Sequence, residues 1–119
     1  MQTTKQTWDN WEVIAIKYLQ KHNYRILDTN FRFKRFWEID IIAENKKNII
    51  FIEVKYRNNT RYWLPEESIT TNKMRKFLKT VDFFVKKNKI KEEKIRIDVI
   101  AILRAEFNYK LTHYKNISV

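Results

Sequence analysis

Two neighbouring runs of apolar residues, separated by a short polar turn, constrain the fold of this chain most strongly. They read EIDIIAE at 38–44 and IIFIEVKY at 49–56, with NKKN between them. Runs rich in β-branched residues and bounded by polar clusters are typical of strands, so the pair predicts a β-hairpin. The second run is apolar at successive positions, which is typical of a central strand covered on both faces.

The rest of the chain supplies the elements that such a sheet needs. A helix is predicted at 9–21, where apolar residues recur at helical spacing, and a longer one at about 71–88 with Thr70 as its N-cap. Further strands are predicted at 24–33 and 95–103, with a weaker edge strand at about 109–114. The order α-β-β-β-α-β-β predicts a single α/β domain over 1–119, with a mixed central sheet flanked by helices.

Composition limits the partners that the protein can have. The 119 residues include 25 Lys and Arg against 14 Asp and Glu, a net charge of +11, which favours a polyanion and nucleic acid first. Cysteine is absent, which excludes disulfides, Cys-bound zinc and thiol catalysis. No apolar stretch approaches ~20 residues and the first five residues are polar, so we expect no membrane partner and a cytoplasmic location.

Charged residues interrupt the two apolar strands at alternating positions. Alternation places Glu38 with Asp40 on one face, and Glu53 with Lys55 on one face of the next strand. If the strands pair, these groups converge, and such a density of carboxylate oxygens suits Mg²⁺ or Mn²⁺. A nearby lysine can orient a water or stabilise a phosphorane, so the pattern predicts metal-assisted phosphodiester hydrolysis. The alternative is that Glu53 and Lys55 form an exposed ion pair.

Two further acidic residues have alternative interpretations. Glu12 could lean toward the strand carboxylates from the first turn of helix 9–21, or form a capping box with Asp9, and spacing alone favours the cap. Asp98 could join the acidic cluster or pair with Arg96 or Arg32.

The two histidines do not indicate a metal site. His22 and His113 are too few and too far apart in sequence for a metal site, so both are expected at the surface.

Lys73, Arg75 and Lys76 occupy the first turns of the second helix, where the macrodipole disfavours cations. Phosphate contact by these three residues is therefore a competitive explanation to a solvated face.

Several segments together match a known family: WDNWE at 8–12, NYRIL at 23–27, NFR at 30–32, WEIDII at 37–42, FIEVKYR at 51–57, Lys73 and RIDVI at 96–100. Over about residues 8–103 the chain resembles the YraN-type family of predicted nucleases related to archaeal Holliday-junction resolvases. That family belongs to the PD-(D/E)xK superfamily, so the resemblance implies a restriction-endonuclease-like αβββαβ core.

The resemblance also implies roles for individual residues. Asp40, Glu53 and Lys55 match the metal-binding and catalytic signature, and Glu12 matches an additional metal-site acid, with Mg²⁺ or Mn²⁺ as cofactor. Glu38 and Arg57 would support the site, and Lys73 matches a helix-opening lysine. A DNA endonuclease for branched or otherwise structured DNA follows, and resolvase relatives suggest a homodimer. The alternative is a non-catalytic nucleic-acid-binding module with a vestigial acidic site.

The tryptophans depart from the family pattern in a systematic way. Glycine is absent, and all four tryptophans fall where the pattern has glycine: Trp8, Trp11, Trp37 and Trp63. We hypothesise that UGA codons meaning glycine in the source were translated as tryptophan. If the tryptophans are genuine, an indole at position 37 could obstruct the cleft.

Overall fold

The computed structural model of the protein describes residues 4–35, 37–57 and 71–117. Side chains are described for residues 11–35, 37–57 and 74–117. Its elements are α1 (Thr4–Lys21), β1 (Arg25–Lys34), β2 (Trp37–Asn45), β3 (Asn48–Arg57), α2 (Thr71–Lys87), a 3₁₀ turn (Glu92–Lys94), β4 (Ile95–Arg104) and β5 (Tyr109–Tyr114). The predicted N-cap Thr70 and Trp63 lie outside the described residues.

The five strands form one mixed sheet in the order β1-β2-β3-β4-β5. β3 is its centre, antiparallel to β2 and parallel to β4, and β1 and β5 pair antiparallel at the two edges. The connection between the parallel strands β3 and β4 contains α2, as parallel pairing requires. The α/β class, the mixed sheet flanked by helices and the αβββαβ order of elements expected from the sequence are confirmed.

The two helices pack on opposite faces of the sheet. On the α1 side, Ala15 and Leu19 are fully buried against Ile41, Ile52 and Ile100. The other side is covered by α2, whose Met74, Phe77 and Val81 recur at helical spacing and pack on Ile39, Ile42 and Phe51. Alternating side chains of β3 therefore serve two cores, which explains its continuous apolar run.

The first helix begins earlier than its apolar periodicity predicts. It starts at Thr4, so Glu12 lies in its third turn and the first turn contains no acidic residue. A capping box between Asp9 and Glu12 is therefore wrong, because both residues lie inside the helix. The helix ends as expected near Asn23, which adopts a left-handed φ of 70° that asparagine tolerates well.

Candidate functional site

The candidate site lies where β2 and β3 part. Their ladder runs from the hairpin turn up to the pair Ile41 and Ile52 and stops there. One residue further on, the side chain of Asp40 takes over, since its Oδ2 accepts the backbone N–H of Val54 at 2.8 Å. A carboxylate thus replaces a backbone carbonyl at the fork between the two strands.

Regular alternation fails at Asp40. Ile41 belongs to the α1-side core, whereas Ile39, two residues away, belongs to the α2-side core. Across from this point in β1, Asn30 has a left-handed φ of 53° between two regularly paired positions. The strict alternation that placed Glu38 with Asp40 on one face is therefore not a valid premise here, because the strand is irregular between 39 and 41.

Carboxylates nevertheless gather around Asp40. Burial raises the pKa of Asp40 to about 7, and the negative charge of Glu53 adds to the rise, with smaller additions from Glu38 and Glu12. The hydrogen bond from Val54 opposes this shift. Burial and the neighbouring carboxylates thus both disfavour the charged form of Asp40, with burial the larger cause.

Glu53 and Lys55 form a close pair on β3. Lys55 Nζ lies 3.1 Å from Glu53 Oε1, and the two side chains are only 6% and 14% exposed. Both have the strand parity of Phe51, which packs on the α2 side. The alternative of an exposed edge-strand pair is wrong, because β3 is the central strand and Lys55 is buried.

Glu12 reaches the fork from α1. Its Oε2 accepts a hydrogen bond from Asn30 Nδ2 at 3.2 Å, which links the helix to the irregular point of β1. Its neighbour Trp11 stacks on Tyr56 of β3, with ring centroids 3.9 Å apart and planes 18° apart. These contacts fix Glu12 beside the strands, although its charge is the weakest of the three that act on Asp40.

The supporting and basic residues are more exposed. Glu38 forms an ion pair with Arg32 at 3.0 Å, and Arg57 is exposed beside the backbone of Tyr56. Arg75 is exposed and Lys76 partly buried on α2. Lys73 falls within α2, but its side chain lies outside the described residues.

The acidic residues at the fork suit a metal ion that needs only one or two ligands from the protein. In the part of the chain that the structure describes, no three acidic or histidine side chains are close enough to make a closed set of metal ligands. Mg²⁺ commonly binds through one or two carboxylates and fills its remaining positions with water and substrate phosphate. Asp40 and Glu53 fit that mode of binding, and Glu12 would be an outer partner.

Asp98 does not belong to this site. It lies on the α1 side of β4, where its fully buried carboxylate accepts hydrogen bonds from Arg96 at 2.8 and 3.0 Å and from the Asn116 backbone at 2.9 Å. Of the three alternatives for Asp98, the pairing with Arg96 is confirmed, whereas Arg32 pairs with Glu38 instead.

His113 contradicts its expected surface position, whereas His22 is exposed as expected. The His113 side chain is only 4% exposed, with Nε2 at 2.6 Å from Asp98 and Nδ1 at 2.9 Å from the hydroxyl of Tyr18. The sequence alone did not reveal this burial, because it depends on the register of β5 against β4, in which His113 pairs with Ile100.

Within the described residues, neither helix has the length and apolar character needed to cross a bilayer.

Comparison with known proteins places the chain in a family. The model of the "Uncharacterised protein family UPF0102" matches residues 11–102. A UPF0102 protein of Persephonella marina is 45% identical over 86% of this chain and 84% of its own length. Relatives from Fusobacterium nucleatum (37% identical, 89% of this chain and 88% of theirs) and Clostridioides difficile (36%, 94% and 96%) carry the same family name. These names state no activity. The matched segment contains the whole fork with Glu12, Asp40, Glu53 and Lys55, and the chain belongs to the UPF0102 family.

Proposed function

We propose that this protein is a divalent-metal-dependent endonuclease that hydrolyses phosphodiester bonds in DNA, with branched or otherwise structured DNA as its substrate. The observation that carries the proposal is the gathering of Asp40, Glu53 and Glu12 at a strand fork, beside a buried lysine. The net charge of +11 supports a polyanionic substrate. The resemblance to PD-(D/E)xK nucleases, noted from the motifs, supports this chemistry by analogy of fold.

Each residue at the fork would have a definite task. Asp40 and Glu53 would hold Mg²⁺ or Mn²⁺, which when bound supplies Lewis-acid polarisation of the phosphate. The hydrogen bond from the Val54 N–H to its Oδ2 holds the Asp40 carboxylate in place at the fork. Glu12, tied to Asn30, would add negative charge from the helix side.

Lys55 would act on the attacking water. Its ammonium, held by Glu53, would orient the water and stabilise the charge that develops on the phosphorane. The oxygen of the water forms a bond to phosphorus while one ester P–O bond breaks, and the leaving oxygen takes up a proton. Lys73, Arg75 and Lys76 would contact the DNA backbone, and a homodimer would allow symmetric cutting of two strands.

A cleavage assay tests the proposal. Branched and linear DNA are incubated with the protein, with and without Mn²⁺, alongside Asp40→Asn and Glu53→Gln. We expect metal-dependent cleavage by the wild type and a loss of at least about 100-fold in the variants, a scale typical of removing one electrostatic group from an active site. Glu92→Gln, an exposed acid on the 3₁₀ turn, is the matched control and should cleave normally.

The competing function is a nucleic-acid-binding module without catalysis. One observation favours it: Lys55 already forms a close ion pair with Glu53, at 3.1 Å. In that case the wild type binds DNA, and no divalent metal produces cleavage of any substrate.

A further inference from the structure

A second candidate site lies on the α2 side, where the β1–β2 corner meets the last turns of α2. An open groove of about 660 Å³ is lined there by residues of β1, β2 and α2. Its floor is aromatic: the rings of Phe33 and Phe83 stack with centroids 4.0 Å apart and planes 23° apart. Trp37 adds a third ring 5.9 Å from Phe33. These three residues are only partly buried and line the open groove.

Positive charge surrounds the aromatic floor. Four lysines line the groove against a single acid, Asp82, which Lys86 pairs at 2.9 Å. The other three ammonium groups lie over aromatic rings: Lys34 is 4.9 Å from the centre of Trp37, Lys79 is 5.7 Å from it, and Lys87 is 6.0 Å from Phe83. Stacked rings with lysines at their margin are the arrangement that binds single-stranded nucleic acid, since bases stack and phosphates pair with the cations.

The groove lies close to the fork and on a shared side of the sheet. Trp37 precedes Asp40 by three residues on β2, a distance of about 10 Å along an extended strand. By strand alternation, Glu53 and Lys55 lie on the same side of the sheet as Phe51, which is the side covered by α2. On that side, α2 also supplies Lys79 and Phe83 to the groove. One nucleic acid strand could therefore contact both places.

We propose that this groove binds unpaired nucleotides of a DNA substrate, one or two nucleotides along the strand from the phosphate at the acidic fork. The proposal rests on the proposed function for its substrate and narrows that substrate to DNA in which a duplex adjoins a single strand. Bases would stack on the Phe33–Phe83 pair, and the lysines would move from the ring faces onto the phosphates. The Phe33–Phe83 pair and the lysines carry the proposal, which therefore stands equally if position 37 is glycine, as the recoding hypothesis holds.

Binding measurements without metal test the aromatic floor. Fluorescence anisotropy in EDTA compares a duplex that carries a short unpaired thymidine tail with the blunt duplex of identical sequence. We expect the wild type to prefer the tailed duplex, and Phe83→Leu to weaken tailed binding about tenfold while blunt binding stays unchanged. Leucine keeps an apolar side chain at position 83 but removes the stacking face.

The matched control is Phe84→Leu. Phe84 is the next residue of α2, but its ring packs edge-on against Phe51 and Phe31 and does not line the groove. It should bind both DNAs as the wild type does, with circular dichroism verifying that each variant is folded. Equal binding of tailed and blunt duplex by the wild type, or wild-type tailed binding by Phe83→Leu, would overturn the proposal.

Salt dependence tests the lysines separately. Each lost phosphate contact lowers the slope of log K against log salt by about 0.7 for a single strand, so Lys79→Ala with Lys87→Ala should lower it by about 1.4. Lys17→Ala with Lys21→Ala, exposed lysines of α1 on the opposite side of the sheet, removes equal charge and should leave the slope unchanged. Equal effects of the two pairs would mean that the groove has no special part in binding.

The groove and the nuclease can fail independently. If tailed DNA binds as expected but no metal produces cleavage, the nuclease proposal fails and the groove stands. If the wild type and Phe83→Leu both cleave with one and the same substrate preference, the groove fails and the nuclease stands.

Discussion

Asp40 is the residue at which the regular sheet gives way to a site. Its side chain replaces a ladder bond between β2 and β3, and its pKa of about 7 results from burial together with neighbouring negative charge. A purely structural position would rarely keep an ionisable group under such repulsion, because a neutral side chain could accept the same N–H. The residue thus carries a stability cost that a bound cation would relieve.

Removing that charge should not harm the fold. We predict that Asp40→Asn, in metal-free buffer at pH 8, melts at or above the wild-type temperature, because the amide oxygen still accepts the Val54 N–H and the repulsion disappears. Differential scanning calorimetry measures this. A melting temperature lower by several degrees would mean that the Asp40 charge is needed for folding.

Substitution of Lys55, in contrast to Asp40, is expected to lower the stability of the fold. Lys55→Met should lower the free energy of unfolding by about 3 kcal/mol, because it removes one member of a nearly buried ion pair. The double variant Lys55→Met with Glu53→Gln should recover most of that loss. Urea unfolding of the two single variants and the double variant provides the cycle, and a strictly additive result would show that the pair is not coupled.

The tryptophans at glycine-like positions give a prediction at the level of codons. Trp8 and Trp11 lie in a helix and Trp37 in a strand, and no described tryptophan has a left-handed φ. Glycine there would act through a missing side chain rather than through its φ. Nε1 of Trp11 is buried without a hydrogen-bond partner among the described residues, which costs about 1–3 kcal/mol and supports the recoding hypothesis. All four codons are expected to read UGA, and UGG at any of them contradicts the hypothesis.

At the level of elements, the spacing and polarity of residues predict where helices and strands lie. They do not predict the geometry of irregular positions. The β2–β3 hairpin and α2 followed from apolar spacing, because their cores impose that spacing. The first turns of α1 could not be predicted, since TKQTWDN has no apolar stripe. The irregular strand at Asp40 and the buried His113 could not be predicted either, because both depend on register between strands distant in sequence.

The network around Asp98 ties three elements together, and its stability should depend on pH. Burial alone would raise the pKa of Asp98, but hydrogen bonds from His113, Arg96 and the Asn116 backbone lower it below its ordinary value of 3.8. The folded state therefore binds this proton less readily than the unfolded state. Its contribution to stability is complete at neutral pH and is lost as the pH falls through the folded pKa.

Asp98→Asn tests this element directly. The substitution should cost about 3–5 kcal/mol at pH 7, because Arg96 loses its buried partner, and the difference from wild type should shrink below about pH 4. Urea unfolding at pH 7 and pH 3 measures both values. A difference that is constant or grows in acid would contradict the sign derived from the lowered pKa of Asp98.

At the level of the whole molecule, a strongly basic chain concentrates acidic residues at one fork of its sheet. Ten basic and three acidic residues lie between Lys73 and Arg96, and α2 presents several of the basic ones beside the groove. In the proposed function such a surface would attract DNA without regard to sequence, whereas the fork would act on one phosphodiester. Attraction by the surface and chemistry at the fork would then be separable properties of different residues.

Isothermal calorimetry of the metal-free protein with Mn²⁺ is the sharpest test of a metal site at the fork, since it requires no DNA. We predict one bound Mn²⁺ per chain, lost in Asp40→Asn and in Glu53→Gln and retained in Glu92→Gln. Absence of binding, or equal binding by all three variants, would show that the acids at the fork do not form a metal site.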